Sequence, residues 1–511
     1  MKTMPSKVLI GIPRLKLEDI YNVSFNGAKV DIHPSAVNKI NKASRFLSKQ
    51  VLAEKTIYGV NTGFGLLSNV KISDQKIEEL QYRLLRSHAT GVGELLGEEE
   101  VRAMLLLRAH NLALGHSGVR IELIKKILEL LNKNILPCVP SQGSVGASGD
   151  LAPLAHLALP LIGEGKILIS GKRLDTATYF NKNKIKKIKL GAKEGLALIN
   201  GTQFMSAVGV INLLRAEKLS EYADVISAFS LEALRGTIKA FDLDIQKVRP
   251  HPGQKKVATN ILKYLNHTAP SSIAKSHKNC DKVQDPYSLR CIPQVHGASR
   301  DCLGFVRKVL ETEVNSVTDN PLVFPDKNKI ISGGNFHGQI VSMSMDLLSI
   351  AVAELASISE QRIEKLVNPV ISELPAFLIQ DSGLNSGFMI VQVAAASLVS
   401  ENKTLCHPAS VDSIPTSADK EDHVSMGAWA AMKAKKVLDN STRVLAMEWI
   451  AGAQGIDLLR PLKTTLFLEK VHKEIRKDVS FMKEDCSLSD SIELLAKKMM
   501  LNQIQSLKDL N

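Results

Sequence analysis

Apolar residues recur at intervals of three and four along most of the chain, the spacing of one face of a helix. In DQKIEELQYRLL, Ile77, Leu80 and Leu84 share a face, and Ser73 stands where a capping hydroxyl is wanted. GEEEVRAMLLLRAHNLALG opens on glutamates, which favour a helix start, and closes at Gly115. RIELIKKILELLNKN follows, with Pro137 as its stop. Short, separately capped helices therefore fill the first part of the chain. Strand patterning is clear only in KILISGKRL (166–174), which alternates around Ser170-Gly171 as a small hairpin.

Beyond residue 200 the apolar runs lengthen, at 202–236, 297–315, 337–367 and 422–454. Several exceed the usual helix of about 12 residues and suit an extended bundle. A last amphipathic stretch, SDSIELLAKKMMLNQIQSL, has Asp490 as its opening residue with Glu493 three positions on, the spacing of a capping box. The pattern predicts a mainly α fold: a mixed N-terminal domain over 1–198, then a long-helix bundle over 199–511. The lysine-isoleucine segment NKNKIKKIKLGAK (181–193) reads as a solvated connection marking the boundary.

Composition narrows the function classes. The 511 residues are 44% hydrophobic and 23% charged, enough for a large core, and aromatics are only 5%, which favours helices over a sandwich or barrel. Lys+Arg 65 against Asp+Glu 52 gives a formal charge of +13, compatible with nucleic acid or an acidic membrane. No long basic block interleaved with aromatics accompanies it, so a basic helical nucleic-acid-binding protein is the weaker reading. The apolar run near the N-terminus carries Lys7 and ends by Pro13, too short for a signal segment. The most apolar helix candidate, from Gln339, carries Asp346 and Glu354, which argues against a membrane span. Cysteines at 138, 280, 291, 302, 406 and 486 lie far apart without a CxxC pair, predicting neither a zinc site nor a disulfide framework and favouring a reducing cytoplasm. His110 and His116 lack HExxH spacing, and His407 and His423 lie in separate loops, so no metal is expected.

Candidate chemistry sits in glycine- and asparagine-rich loops between the helices. GSVGASGDLAPLAHLALPL (143–161) lacks the lysine of a P-loop, the G-x-S-x-G of a nucleophile elbow and the preceding strand of a dinucleotide fold. Its Ala147-Ser148-Gly149 offers different chemistry. An unhindered glycine amide can approach the carbonyl two residues back, and a serine can lose its hydroxyl by β-elimination. Cyclisation with two dehydrations gives a five-membered imidazolinone bearing an electrophilic methylene. In isolation the tripeptide reads as a tight turn.

It is not isolated. GSVGASGDLAPLAHLALPLIGEG, YGVNTGFG, NGTQ, QDPYSLRC, TDNPLVF, GGNFHG and HPASVDSIPTSADKEDHVSM together resemble the motifs of the aromatic amino acid ammonia-lyases, in one order from about residue 8 to the C-terminus. The resemblance implies an aspartase/fumarase-like helical fold, a homotetramer with sites shared between subunits, and a 4-methylidene-imidazol-5-one formed autocatalytically from Ala147, Ser148 and Gly149, with no external cofactor. It also assigns roles. Tyr58, on a loop with Gly59, Gly63 and Gly65, matches the base that removes a β-proton. Arg290 matches the arginine that binds the substrate carboxylate, and Tyr287 a residue that polarises the prosthetic group or receives protons. Asn200 and Gln284 match amides that bond the prosthetic carbonyl or the substrate, with Asn335 and Phe336 beside them. Asp150 can assist cyclisation or cap the following helix.

Ring preference needs separate residues. Ser87-His88 stands where phenylalanine-acting members show Phe-Leu and tyrosine-acting members His-Leu. Met389, and Glu421 in place of the glutamine of phenylalanine-acting members, also resemble the histidine-acting branch. Glu421 can accept an imidazole N–H or serve as the alternative base. The resemblance thus implies non-oxidative deamination of L-histidine to trans-urocanate and ammonia, with a phenylalanine or tyrosine lyase or an aminomutase as the rival within the family. Lys420 departs from the pattern, where a glutamine is common; an ammonium aimed at Glu421 would alter substrate binding, whereas one in solvent would change little.

Overall fold

The structure is a computed structural model that describes residues 7–53, 56–63, 69–266, 268–277 and 283–508. Its contacts divide the chain into two compact units, residues 1–212, 307–346 and 408–432 in the first and 213–306, 347–407 and 433–511 in the second. Four of the boundaries fall inside the long helices Gln203–Ala233, Ile292–Glu313, Gln339–Val367 and Gly427–Leu458. These helices answer the four long apolar runs of the sequence.

The first unit is built around the helix Glu98–Ala113, buried at every position from Glu100 onward. Surrounding it on all sides requires its polar residues to find partners. Arg102 Nε donates to the Val23 carbonyl, and His110 Nδ1 accepts the Gly11 N–H. Small sheets flank it. Val8–Ile10 and Val30–Ile32 pair in parallel, and Val92–Leu95 pairs antiparallel with Pro140–Gln142. Leu136–Pro137, Lys166–Ile169 and Lys172–Asp175 form an antiparallel three-stranded sheet. The hairpin of that sheet turns at Ser170 and Gly171, both at positive φ, as its sequence suggests. The other strands, with Leu322–Phe324 and Lys329–Ile331, are too short to show alternation.

Local corrections concern how elements begin and end. Ser73 does not cap the helix over Ile77–His88, because a single 3-10 turn, Asp74–Lys76, intervenes. The helix Ile121–Asn132 ends at the left-handed Asn134, where Ile135 N–H returns to the Leu130 carbonyl, before Pro137 is reached. Asp490 lies inside the first turn of Ser489–Met500, and Glu493 pairs with Arg443. Lys193 overturns the solvated reading at the end of the 181–193 segment: it is fully buried and paired with Asp319 at 2.5 Å.

The second unit consists of packed helical segments. Arg362 and Glu448, both fully buried, form an ion pair at 2.6 Å, and Ser230 also donates to Glu448. Gly253 and Gly297 allow close backbone approach, since a Cβ on Gly253 would stand 2.1 Å from the Gly297 carbonyl oxygen. By length and composition alone Gln339–Val367 is apolar enough to cross a membrane, a test that the core helix of a folded protein passes as well. Its most apolar window is 61% buried. Asp346 on that helix accepts the N–H groups of Ala409 and Ser410.

Candidate active site

Residues 143–149 form a turn fixed from both sides. Gly149 has φ +77°, and a Cβ there would lie 2.2 Å from the Gly201 carbonyl oxygen, so only glycine fits. Gly149 and Gly201 make an isolated bridge, extended by Asp150 N–H to the Gly201 carbonyl at 2.8 Å. On the other side Met426 N–H donates to the Val145 carbonyl, and the Ser425 hydroxyl to that of Gly146. Asp150 is fully buried and makes no side-chain cap to its own helix. Its Oδ2 instead accepts Phe204 and Met205 N–H, both at 3.0 Å, capping the helix Gln203–Ala233. Burial pushes its carboxyl pKa up to about 7 against those hydrogen bonds.

This turn opens on a cavity of about 1140 Å³ in the first unit. Tyr58, Ser87, His88, Ala147, Ser148, Asn200, Phe336 and Glu421 line it, and the walls between them include Ile72, Leu84 and Leu196. Gly63 lines it also, Gly59 sits at φ +67°, and Gly65 lies outside the described residues. Glu421 Oε1 accepts the Ser148 hydroxyl at 2.8 Å, and Oε2 accepts those of Thr416 and Ser417 at 3.1 and 2.6 Å. His88 Nδ1 lies 2.9 Å from the Leu84 carbonyl oxygen. A carbonyl only accepts, so the proton sits on Nδ1 and Nε2 remains an acceptor. Burial lowers the His88 pKa, while the Leu84 carbonyl and Glu421 pull it upward. Ser87 turns inward on the helix end, its hydroxyl donating to Leu84. Lys420 is exposed at the cavity rim, and among the described residues it makes no ion pair with Glu421.

Beneath the cavity lies a buried charged layer that motif reading did not find. Arg108, with its pKa lowered to about 10 by burial, donates to the carbonyls of Ala197 and Asn200. These close the helix Glu194–Ile199, and Asn200 Nδ2 then donates to the Asn320 carbonyl at 3.0 Å. Asn200 Oδ1 is buried without a partner. Thr416, Ser417 and the His337–His423 pair, whose rings lie parallel at 5.8 Å, were also missed. Arg108 and the His337–His423 pair have partners in distant segments, which no spacing marks, and Thr416 and Ser417 are hydroxyls without a motif of their own although their partner Glu421 lies in the same loop.

Four expected residues stand in the second unit. Gln284, Tyr287 and Arg290 line a cavity of about 430 Å³ there, with Arg290 stacked 4.4 Å over the Tyr287 ring. Tyr287 is 70% exposed. Met389 opens the helix Met389–Leu405 and lines neither cavity. In the first unit Asn335 is exposed, with its amide on the Val317 carbonyl.

A helical frame that presents a glycine-clamped turn, a carboxylate, a phenol and an imidazole to one cavity defines a proton-transfer site for a small polar ligand. The residues also fit a methylidene-imidazolone: the turn is cramped at Gly149, and Asn200, whose Oδ1 is buried without a partner, lines the same cavity as Ala147 and Ser148. The chain matches the family described as aromatic amino acid lyase over residues 15–477. It is 50% identical over 491 residues to histidine ammonia-lyase of Myxococcus xanthus, covering 96% of each chain. The crystal structure of histidine ammonia-lyase from Trypanosoma cruzi aligns with a TM-score of 0.90 at 45% identity, over 98% of this chain and 95% of that one. The tyrosine aminomutase structure from Streptomyces globisporus gives 0.92 at 35% identity over 98% of each. The chain belongs to the aromatic amino acid lyase family, and its mainly α, aspartase/fumarase-like fold is the one the sequence led us to expect.

Proposed function

We propose that this protein is a carbon–nitrogen lyase that deaminates L-histidine to trans-urocanate and ammonia. The observation that carries the reading is the grouping of Ser148, Glu421, His88 and Tyr58 around one cavity, in a chain half identical to a histidine ammonia-lyase. The methylidene-imidazolone that Ala147, Ser148 and Gly149 would form supplies an electrophile that draws electrons from the amine and so makes it able to leave. Tyr58 takes the β-proton. Glu421 and His88 Nε2 are acceptors for an imidazole N–H, which an apolar pocket would leave unpaired at a cost of about 1–3 kcal/mol. Asn200 Oδ1 accepts from the ammonium or the prosthetic ring, and Phe336 limits the space beside it.

The substrate carboxylate needs a cation. Of the lysines and arginines lining the first cavity, Arg83 is already bonded to Glu79 and Lys420 lies exposed at the rim. We assign the carboxylate to Arg290 and the proton relay to Tyr287, with Gln284 beside them and Met389 on the ring side, all contributed by neighbouring copies in a homotetramer. The exposed apolar face of Met389, Ile390 and Val393 supports such an assembly. Among the described residues, Cys138, Cys291, Cys302, Cys406 and Cys486 form no disulfide, in keeping with a reducing cytoplasm.

The test is ammonia release from L-histidine, L-phenylalanine and L-tyrosine supplied separately to the purified protein. Release from histidine alone is expected. Preference for either other ring, or accumulation of a β-amino acid, would assign a different member of the family.

A further inference from the structure

Glu421 is held in an unusual way. The hairpin that carries it closes with a bridge between Thr416 and Glu421, and Ser417, Ala418 and Asp419 have φ of +54°, +53° and +60°. Three successive non-glycine residues in the left-handed region are costly and persist only where the surroundings demand it. The result is a carboxylate with Oε2 fixed by two hydroxyls and Oε1 on the Ser148 hydroxyl at 2.8 Å. The carboxyl adjacent in sequence, Asp150, is occupied elsewhere, by Phe204, Met205 and Ser144.

That hydroxyl has to leave if Ala147–Gly149 is to become an electrophile, and hydroxide is a poor leaving group. We propose that Glu421 is the general acid of this chain's own maturation: once the carboxyl carries a proton the same 2.8 Å contact reverses, with Oε1 donating to Ser148 Oγ, before the site ever meets substrate. The inference rests on the reading above that Ala147–Gly149 matures. In the first stage Gly149 N bonds to the Ala147 carbonyl carbon. The carbonyl oxygen departs as water with the protons of Gly149 N–H and Ser148 N–H, leaving a C=N bond to Ser148 N. In the second, the Ser148 Cα–H electrons become the Cα=Cβ bond and the Cβ–Oγ bond breaks. Oγ leaves as water with its own proton and one from the Glu421 carboxyl, which the released Cα proton restores through solvent. Glu421 Oε1 has then lost its donor while Oε2 keeps both of its own. The vacated oxygen faces the cavity and is ready for an imidazole N–H.

Intact mass after a pulse of synthesis tests this on the full chain, with thermal denaturation as a check of folding. Wild type should lose two waters, about 36 Da. Glu421→Gln, which keeps the shape of the side chain, and Glu421→Ala should accumulate the form lacking one water, about 18 Da, with the second loss slowed about a hundredfold. Added formate should speed that loss in Glu421→Ala. Loss of both waters by folded Glu421→Ala at the wild-type rate would overturn the proposal. A wild-type protein of full mass would instead overturn the reading of Ala147–Gly149 on which it rests.

Discussion

Asp150 shows how one side chain can be misjudged from its neighbours in sequence and still be decisive in space. It precedes a helix, yet its carboxylate caps another, and complete burial raises its pKa to about 7 from an ordinary 3.8. A raised carboxyl binds its proton more tightly in the folded chain, so its stabilising contribution is complete below about pH 4 and is lost as pH rises through 7. Asp150→Asn should therefore lose less stability than wild type between pH 5 and 8, by roughly 2 kcal/mol, read from urea midpoints. Parallel pH profiles would show that Asp150 does not titrate in that range. At this scale the sequence was most informative where function lies in contiguous motifs. Tyr58, Ser87, His88, Ser148, Asn200, Phe336 and Glu421 were all named from motifs, and they line one cavity. Lys193 was not, because a buried ion-paired lysine and a surface one look alike in a lysine-rich segment, nor was Arg108, whose carbonyl partner lies far along the chain.

Elements were legible in proportion to their length. A run of thirty residues samples the helical period many times, so the four long helices stand out, whereas strands of two to four residues barely show alternation. Caps failed for a related reason: Ser73 and Asp490 have the right chemistry, but Ser73 precedes an intervening 3-10 turn and Asp490 falls one residue inside its helix. Packing between helices left its own mark in glycine. Gly253 on Pro252–Tyr264 faces Gly297 on Ile292–Glu313, and neither has room for a methyl group. Gly253→Ala should cost about 1–3 kcal/mol and lower the thermal midpoint, whereas Gly304→Ala, with open space around it, should not. Equal midpoints would mean the two helices can part without cost.

For the whole molecule, the proposed reaction draws on two sets of residues in the same chain. Ser148 and Glu421 line a cavity of the first unit; Tyr287 and Arg290 line one of the second. If neighbouring copies complete each site, Ser148→Ala and Arg290→Ala should each be inactive alone. Mixed oligomers, refolded or coexpressed together, should regain about a quarter of wild-type activity, the fraction that random pairing of two intact halves allows. No recovery in mixed tetramers verified by mass would mean that each copy builds its own site.

In the proposed function an electrophile derived from Ser148 deaminates L-histidine. An ultraviolet time course of the purified protein with L-histidine, run beside Ser148→Ala, tests it most directly. Urocanate should accumulate with wild type and be abolished in the variant. Equal urocanate formation by both proteins, or none from a wild type whose mass shows both waters lost, would contradict it.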